Sequence, residues 1–166
     1  VNQGADQAVR FELESVLNST TNSLMPELRR YGIELKVGKI PHCVLWSFPG
    51  ALSQIITNLV FNSINHAFTG IDNKQIALHS EIDPHSGALK LIYRDNGIGI
   101  PQKDQQAVFE PYFTTRREAG GSGLGLSIVK ALATNKLKGD LTFKSAPRKG
   151  VEFAFTLPLD IRQKKM

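Results

Sequence analysis

Asp95-Asn96-Gly97-Ile98-Gly99-Ile100 follows a stretch, Ala88 to Arg94, that reads as a β-strand. A strand running into alternating glycines has two physical readings. One is a tight turn capped by an Asx side chain. The other is a gap where a second molecule approaches the backbone, since glycine tolerates positive φ and presents no Cβ. Asp95 would then be a fixed carboxylate acceptor beside that gap, suited to an amine donor such as the exocyclic amine of adenine.

Working outward, the clearest helical pattern lies upstream, over residues 51–68. Leu52, Ile55, Ile56, Leu59, Val60 and Ile64 recur there at helical spacing. The same segment carries Asn58, Asn62 and His66 at intervals of four, hence on one face, with Asn65 beside them. Asparagine is a poor mid-helix residue without a role. Its amide oxygen is a hard donor of the kind Mg²⁺ accepts alongside water and phosphate oxygens. A merely polar helix face is the alternative. Downstream, Gly120-Gly121-Ser122-Gly123-Leu124-Gly125-Leu126 leads into a helix expected over residues 124–136. Glycines ahead of a helix bare its first N–H groups, which together with the helix dipole favour a phosphate. The spacing matches neither the dinucleotide fingerprint nor the P-loop, and a hinge is the alternative.

The remaining segments supply a sheet. Residues 33–37, 44–46, 75–82, 88–94, 140–145 and 151–157 read as strands, and two pairs of them flank turn signals at 84–87 and 147–150. Residues 15–30 read as a helix stopped by Gly32, with Pro26 expected to kink it or start a turn. Residues 102–109 read as a short helix, and 110–123 as a long loop. Strands and helices mix without strict alternation. The expected class is α+β, a two-layer α/β sandwich: a mixed sheet with helices on one face.

Composition narrows the function classes. The chain has 166 residues, enough for one domain, with 41% hydrophobic content to fill a core. No apolar run reaches the length of a membrane span. Cys43 is the only cysteine, which excludes a disulfide framework and reads as a buried bystander thiol. The net charge of +5 is dispersed, with no basic stripe interleaved with aromatics, so nucleic acid is not an expected partner. Val1 is not an initiator residue, and an excised piece of a longer protein is expected.

The boxes together carry a resemblance. Asn58-Leu59-Val60-Phe61-Asn62-Ser63 resembles the N box of the superfamily of gyrase, heat-shock chaperones, mismatch-repair ATPases and histidine kinases. Asp95 to Gly99 resembles its first glycine box, and Gly121 to Leu126 its second. Phe109-Glu110-Pro111-Tyr112-Phe113-Thr114-Thr115 resembles the F box of sensor histidine kinases. Gly150-Val151-Glu152-Phe153 ahead of Leu157-Pro158 resembles the closing strand, with Val151 where threonine is common. The resemblance spans residues 11–159 and implies the C-terminal catalytic, ATP-binding domain of a sensor histidine kinase, with the Bergerat-type fold.

By that resemblance the cofactors are ATP and Mg²⁺. Asp95 would hold the adenine amine, while Gly97, Ile98, Gly99 and Ile100 admit base and sugar. Asn62, supported by Asn58, would ligate the metal. Asn65, where lysine is common, and His66 would stand near phosphate or ribose. The N–H groups around Gly123 to Leu126 would cradle phosphate, with Gly121, Ser122, Gly123, Leu124, Gly125 and Leu126 all in the nucleotide site. The loop from Phe109 to Gly123, including Tyr112, Thr114, Thr115 and Arg116, would be the ATP lid. Asn58, Asn62 and Arg116 would be catalytic. The superfamily's hydrolases have a glutamate at the position of Asn58, and an amide cannot serve as the general base that water or a hydroxyl needs. A neutral imidazole is already nucleophilic, so Asn58 favours transfer to histidine. The resemblance further implies residues 1–10 as a lead from an upstream dimerisation segment, 11–160 as the catalytic domain and 161–166 as a basic tail. It also implies a histidine-bearing dimerisation domain and a response regulator as partners, a monomeric fragment and a cytoplasmic location. A hydrolase of the same superfamily and a degenerate nucleotide-binding module are the alternatives.

Overall fold

The computed structural model describes residues 7–111, 113 and 125–163. Its largest unit is a five-stranded mixed sheet backed on one side by helices. The elements in chain order are β1 (Val9–Glu12), α1 (Leu13–Arg30), β2 (Glu34–Val37), β3 (Val44–Ser47), α2 (Pro49–His66), β4 (Gln75–Ile82), β5 (Leu89–Asp95), α3 (Gly125–Ala131), β6 (Asp140–Ser145) and β7 (Val151–Leu157). A π-helical turn, Leu132–Lys136, continues α3.

The sheet order is β2-β4-β5-β7-β6. Only β2 and β4 run parallel; β4–β5 and β6–β7 are the two hairpins expected from their turn residues. β5 therefore lies in the middle, paired with β4 and β7. Alternation fixes which side each residue faces. In β5, Leu89, Leu91, Tyr93 and Asp95 are buried while Arg94 is exposed. Their cross-strand partners Leu157, Phe155, Phe153 and Val151 are buried too. The inward face meets Leu52, Ile55, Ile56, Leu59 and Val60 of α2 in one core, which also takes in Leu17, Leu24 and Leu28 of α1. The sandwich expected from the sequence is thus the observed architecture.

Four local differences have physical causes. β1, unmarked in the sequence, pairs antiparallel with β3; only Phe11 of its four residues is even half-buried, so it carries no alternation to read. Pro26 neither stops α1 nor starts a turn: the helix runs through it, anchored by buried Leu24 and Leu28 on either side. α1 ends at Arg30, and Gly32 just beyond it has φ +65°. There the Ile33 N–H donates to the Leu28 carbonyl and the Gly32 N–H to that of Arg29, a Schellman stop. Residues 102–109 form no helix. They make successive turns with bonds from Asp104 to Pro101, Gln105 to Gln102 and Ala107 to Asp104. The segment is short and mostly polar, too little to offset helix nucleation. Finally, α3 does not stay α-helical to Lys136: the Leu137 N–H reaches back five residues to the Leu132 carbonyl. No helix among the described residues is long and apolar enough to cross a membrane. Cys43 is partly buried, and that burial pushes its thiol pKa up.

Candidate functional site

The site is built where β5 ends. Continuing its alternation puts Asp95 on the inward face, 8% exposed, against α2. Seven residues beyond Ile56, Ser63 projects from the same face of α2 and donates its hydroxyl to Asp95 Oδ2 at 2.8 Å. The Gly97 N–H donates to Asp95 Oδ1 at 3.0 Å. Tyr93, two residues earlier on the same face, places its hydroxyl 2.7 Å from Ser63 Oγ and 3.1 Å from the Leu59 carbonyl. Burial raises the Asp95 pKa above the ordinary carboxylate value, opposed by hydrogen bonds from Ser63 and from the Gly97 and Val151 backbone. Burial also holds the Tyr93 hydroxyl well above its usual pKa.

The glycine turn after Asp95 closes the floor. A Cβ on Gly97 would stand 2.4 Å from the Ala67 carbonyl oxygen, which itself accepts from the Ile98 N–H at 2.8 Å. Gly99 has φ +75°, and a Cβ there would fall 2.2 Å from the Ala146 carbonyl oxygen. These two positions bind the turn to the end of α2 on one side and to the β6–β7 turn on the other. They admit no side chain. Asn96 ties the outer side, accepting from the Gln75 N–H and donating to the Asn73 carbonyl.

Above this floor opens a cavity of about 500 Å³, within the size range of small-molecule and cofactor sites. One wall is α2, which contributes Asn58, Asn62, Asn65 and His66. Opposite stand Ile98, Gly99, Ile100 and the 101–113 segment through Pro101, Asp104, Val108 and Phe113. Gly125 and Leu126 close the end at the start of α3. The Asn62 Oδ1 lies against Gly125, where a Cβ would come within 3.2 Å of it. Asn58 Nδ2 is buried and has no hydrogen-bond partner among the described residues. A buried, unpaired amide beside a cavity costs stability unless something enters to satisfy it.

The sequence-predicted residues Asn58, Asn62, Asn65, His66, Asp95, Ile98, Gly99, Ile100, Gly125 and Leu126 therefore share one cavity. Gly97 shapes its floor without lining it. Phe109 is also not a lining residue: its ring sits edge-on to Phe143 at 5.3 Å and to Phe153 at 6.2 Å, within the core's aromatic margin. Tyr112, Thr114, Thr115, Arg116, Gly121, Ser122, Gly123 and Leu124 lie outside the described residues. Sequence reasoning missed Ser63, Tyr93, Ala67, Val151 and Phe153. The signal for Ser63 and Tyr93 was positional: each falls on the inward period of its element.

Among the described residues no three His, Cys, Asp or Glu side chains cluster as a metal cage. The donors facing the cavity are carboxamides, with Asp104 the further carboxylate at its edge. Hard oxygen donors in small number fit a cation that keeps most of its ligands as water and phosphate, as Mg²⁺ does.

Known proteins resemble this chain in sequence and in fold. The family profile described as histidine kinase-, DNA gyrase B-, and HSP90-like ATPase matches residues 49–161. The autoinducer 2 sensor kinase/phosphatase LuxQ of Vibrio harveyi is 35% identical over 164 residues, covering 93% of this chain and 18% of that protein. The signal transduction histidine-protein kinase BarA of Escherichia coli K12 is 34% identical over 163 residues, covering 93% and 17%. The chain thus spans less than a fifth of the length of these curated relatives. In fold it is similar to the nucleotide-free catalytic domain of histidine kinase ThkA, with a TM-score of 0.79 at 23% identity over 95% of this chain and 99% of that one. ThkA has also been solved in complex with the response regulator protein TrrA, and that structure matches with a TM-score of 0.75 at 22% identity over 95% of this chain and 43% of that one. The cavity, its boxes and these likenesses coincide, and the chain belongs to the family of histidine kinase-, DNA gyrase B- and HSP90-like ATPases, as a catalytic domain of the histidine-kinase kind.

Proposed function

We propose that the chain binds Mg-ATP in this cavity and transfers the γ-phosphoryl group to a histidine on a separate dimerisation domain, from which it passes to an aspartate of a response regulator. The observation that carries this reading is one cavity shared by a buried acceptor carboxylate at its floor and a row of carboxamides along α2. Asp95 accepts from the adenine amine. Ile98, Gly99 and Ile100 flank the base and sugar. Asn62, with Asn58 behind it, would hold the Mg²⁺; when bound, the cation neutralises phosphate charge. Asn65 and His66 stand where phosphate or ribose passes. Thr114, Thr115, Arg116 and the residues from Gly121 to Leu124 are proposed as the lid and phosphate cradle, on the strength of the sequence boxes alone. Phosphoryl transfer asks the protein mainly for positioning and charge stabilisation, which such a site supplies.

Asn58 also argues for a kinase over a hydrolase. Its amide lines the cavity where a water-activating base would stand, and an amide takes up no proton at neutral pH. The acceptor imidazole needs none. None of the chain's four histidines is read as the acceptor: His79 and His85 lie in and beside the β4–β5 hairpin, His42 stands beside Glu14, and His66, on α2, lines the proposed nucleotide cavity itself. We further propose a monomeric fragment, working in the cytoplasm, where ATP is.

Calorimetric titration with Mg-ATP tests binding, and incubation with γ-labelled ATP tests transfer. The expected result is binding without histidine labelling by the fragment alone, and labelling of a dimerisation domain added in trans. Steady release of phosphate without any acceptor would favour the hydrolase; no Mg-ATP binding at all would leave a degenerate module.

A further inference from the structure

We propose that Ser63 and Tyr93 are positioning residues that hold the Asp95 carboxyl in its acceptor form and thereby set a preference for a 6-amino over a 6-oxo purine. The specificity half rests on the nucleotide reading above; the relay itself rests on geometry.

Three polar groups stand in series inside the core. Ser63, Tyr93 and Asp95 are 3%, 1% and 8% exposed, so the two hydroxyls are satisfied from within the protein while Asp95 meets the cavity. Ser63 Oγ is the pivot, 2.8 Å from Asp95 Oδ2 and 2.7 Å from the Tyr93 hydroxyl, which in turn lies 3.1 Å from the Leu59 carbonyl oxygen. Each hydroxyl has a single proton, so the direction of the chain is decided by its end. With Asp95 ionised, Ser63 donates to Oδ2 and Tyr93 donates to Ser63. The Gly97 N–H covers Oδ1. Ser63 and the Gly97 and Val151 backbone then donate to the carboxylate, whose two oxygens offer about four lone-pair sites, and a 6-amino group can use the one left over. With Asp95 neutral, the two side-chain bonds reverse: Asp95 donates to Ser63 and Ser63 to Tyr93, which is then free to donate to the Leu59 carbonyl. A neutral carboxyl is a weaker acceptor, and its one O–H can instead turn from Ser63 toward a 6-oxo group.

The surroundings leave this relay in control. Ile76 and Val151, which flank Asp95 in the sheet, are apolar. Among the described residues, the other titratable groups lining the cavity are His66 on α2 and Asp104 on the turn segment. Behind the strand, Arg94, Lys144, Lys149 and Glu152 border a separate hollow that Asp95 also touches. Among the described residues, none of these charged or titratable side chains is seen donating to Asp95, whereas Ser63 does. Tyr93 acts at one remove, by polarising the Ser63 hydroxyl.

The test uses the chain as it stands, in Ser63→Ala, Tyr93→Phe and Ser63→Thr forms. Two readouts are taken: the ¹³C titration of the Asp95 carboxyl in nucleotide-free protein, and the dissociation constants of ATP and inosine triphosphate across pH. Ser63→Ala is expected to move the Asp95 titration upward and to narrow the ATP-to-inosine-triphosphate preference about tenfold, the worth of one charge-assisted hydrogen bond. Tyr93→Phe, which keeps the ring against Phe153, is expected to move both in the same direction by less. Ser63→Thr is expected to restore both. If Ser63→Ala fails to fold, Tyr93→Phe still carries both readouts. An Asp95 titration and a purine ratio unmoved in the variants would overturn the proposal. A parent protein that binds neither nucleotide, while its Asp95 titration still responds to the variants, upholds the relay and overturns the purine preference together with the nucleotide reading.

Discussion

At the scale of single residues, Asp95 makes the sharpest prediction. Its burial raises the carboxyl pKa in the folded protein. A raised folded-state pKa means the neutral form favours folding. That contribution is fully present below the unfolded value of about 3.9 and is lost as pH rises through the folded value. The stability of the parent relative to Asp95→Asn, which does not titrate, should therefore fall from about pH 4 upward and then level off. Urea unfolding of both nucleotide-free proteins across pH measures it, and a difference that is flat or rises with pH would refute the assignment. Gly97 makes the steric prediction. An alanine Cβ would sit 2.4 Å from the Ala67 carbonyl oxygen and 2.5 Å from its Cβ. Backbone must move to admit it, so Gly97→Ala should cost more than about 2 kcal/mol and open the cavity floor, both visible by urea unfolding and nucleotide titration. Much of this site was legible because its residue types are chemically odd for their positions: asparagines within a helix, an aspartate entering glycines. Ser63 and Tyr93 were not, since a serine on a helix and a tyrosine in a strand mean nothing until β5 and α2 are laid side by side.

At the scale of elements, legibility followed burial. β4, β6 and β7 have the bounds expected from their sequence, because an inward face alternates with a wet one. β1 left no such trace: Val9, Arg10 and Glu12 are exposed, and its pairing with β3 is a contact between distant segments. The 102–109 segment misled for the opposite reason, its apolar residues Val108 and Phe109 being packed by the core with no helix to carry them. Pro26 shows tertiary packing overriding local preference. It is exposed on α1, lacks an N–H and leaves the Asn22 carbonyl without its helical donor. Replacing it removes no core contact. A mid-helix proline is about 3 kcal/mol worse than alanine, and its stiffening of the unfolded chain returns up to about 1 kcal/mol. Pro26→Ala should stabilise the fold by about 1–2 kcal/mol, seen as a higher urea midpoint with an unchanged slope. A lower midpoint would mean that α1 depends on the proline for its path over the sheet.

At the scale of the whole molecule, the cavity is a seam bordered by several elements of one core. α2 forms one wall, the end of β5 the floor, the 101–113 segment the opposite wall and the start of α3 the end. A ligand filling this seam touches elements that must all be in place at once, so it binds the folded chain and not the unfolded one. Binding must then appear as stability: Mg-ATP at a hundred times its dissociation constant should add about 2.7 kcal/mol to unfolding. The division of that gain tests the roles of the two walls. Asp95→Asn should lose most of it with or without magnesium, because the adenine end is unpaired in both cases. Asn62→Ala should lose it mainly in the presence of magnesium and behave like the parent once the metal is chelated. The measurement is a urea midpoint for each protein at fixed nucleotide, with magnesium and with chelator. If Asn62→Ala loses the same amount under both conditions, its amide serves the nucleotide directly, and the metal is held elsewhere along the seam.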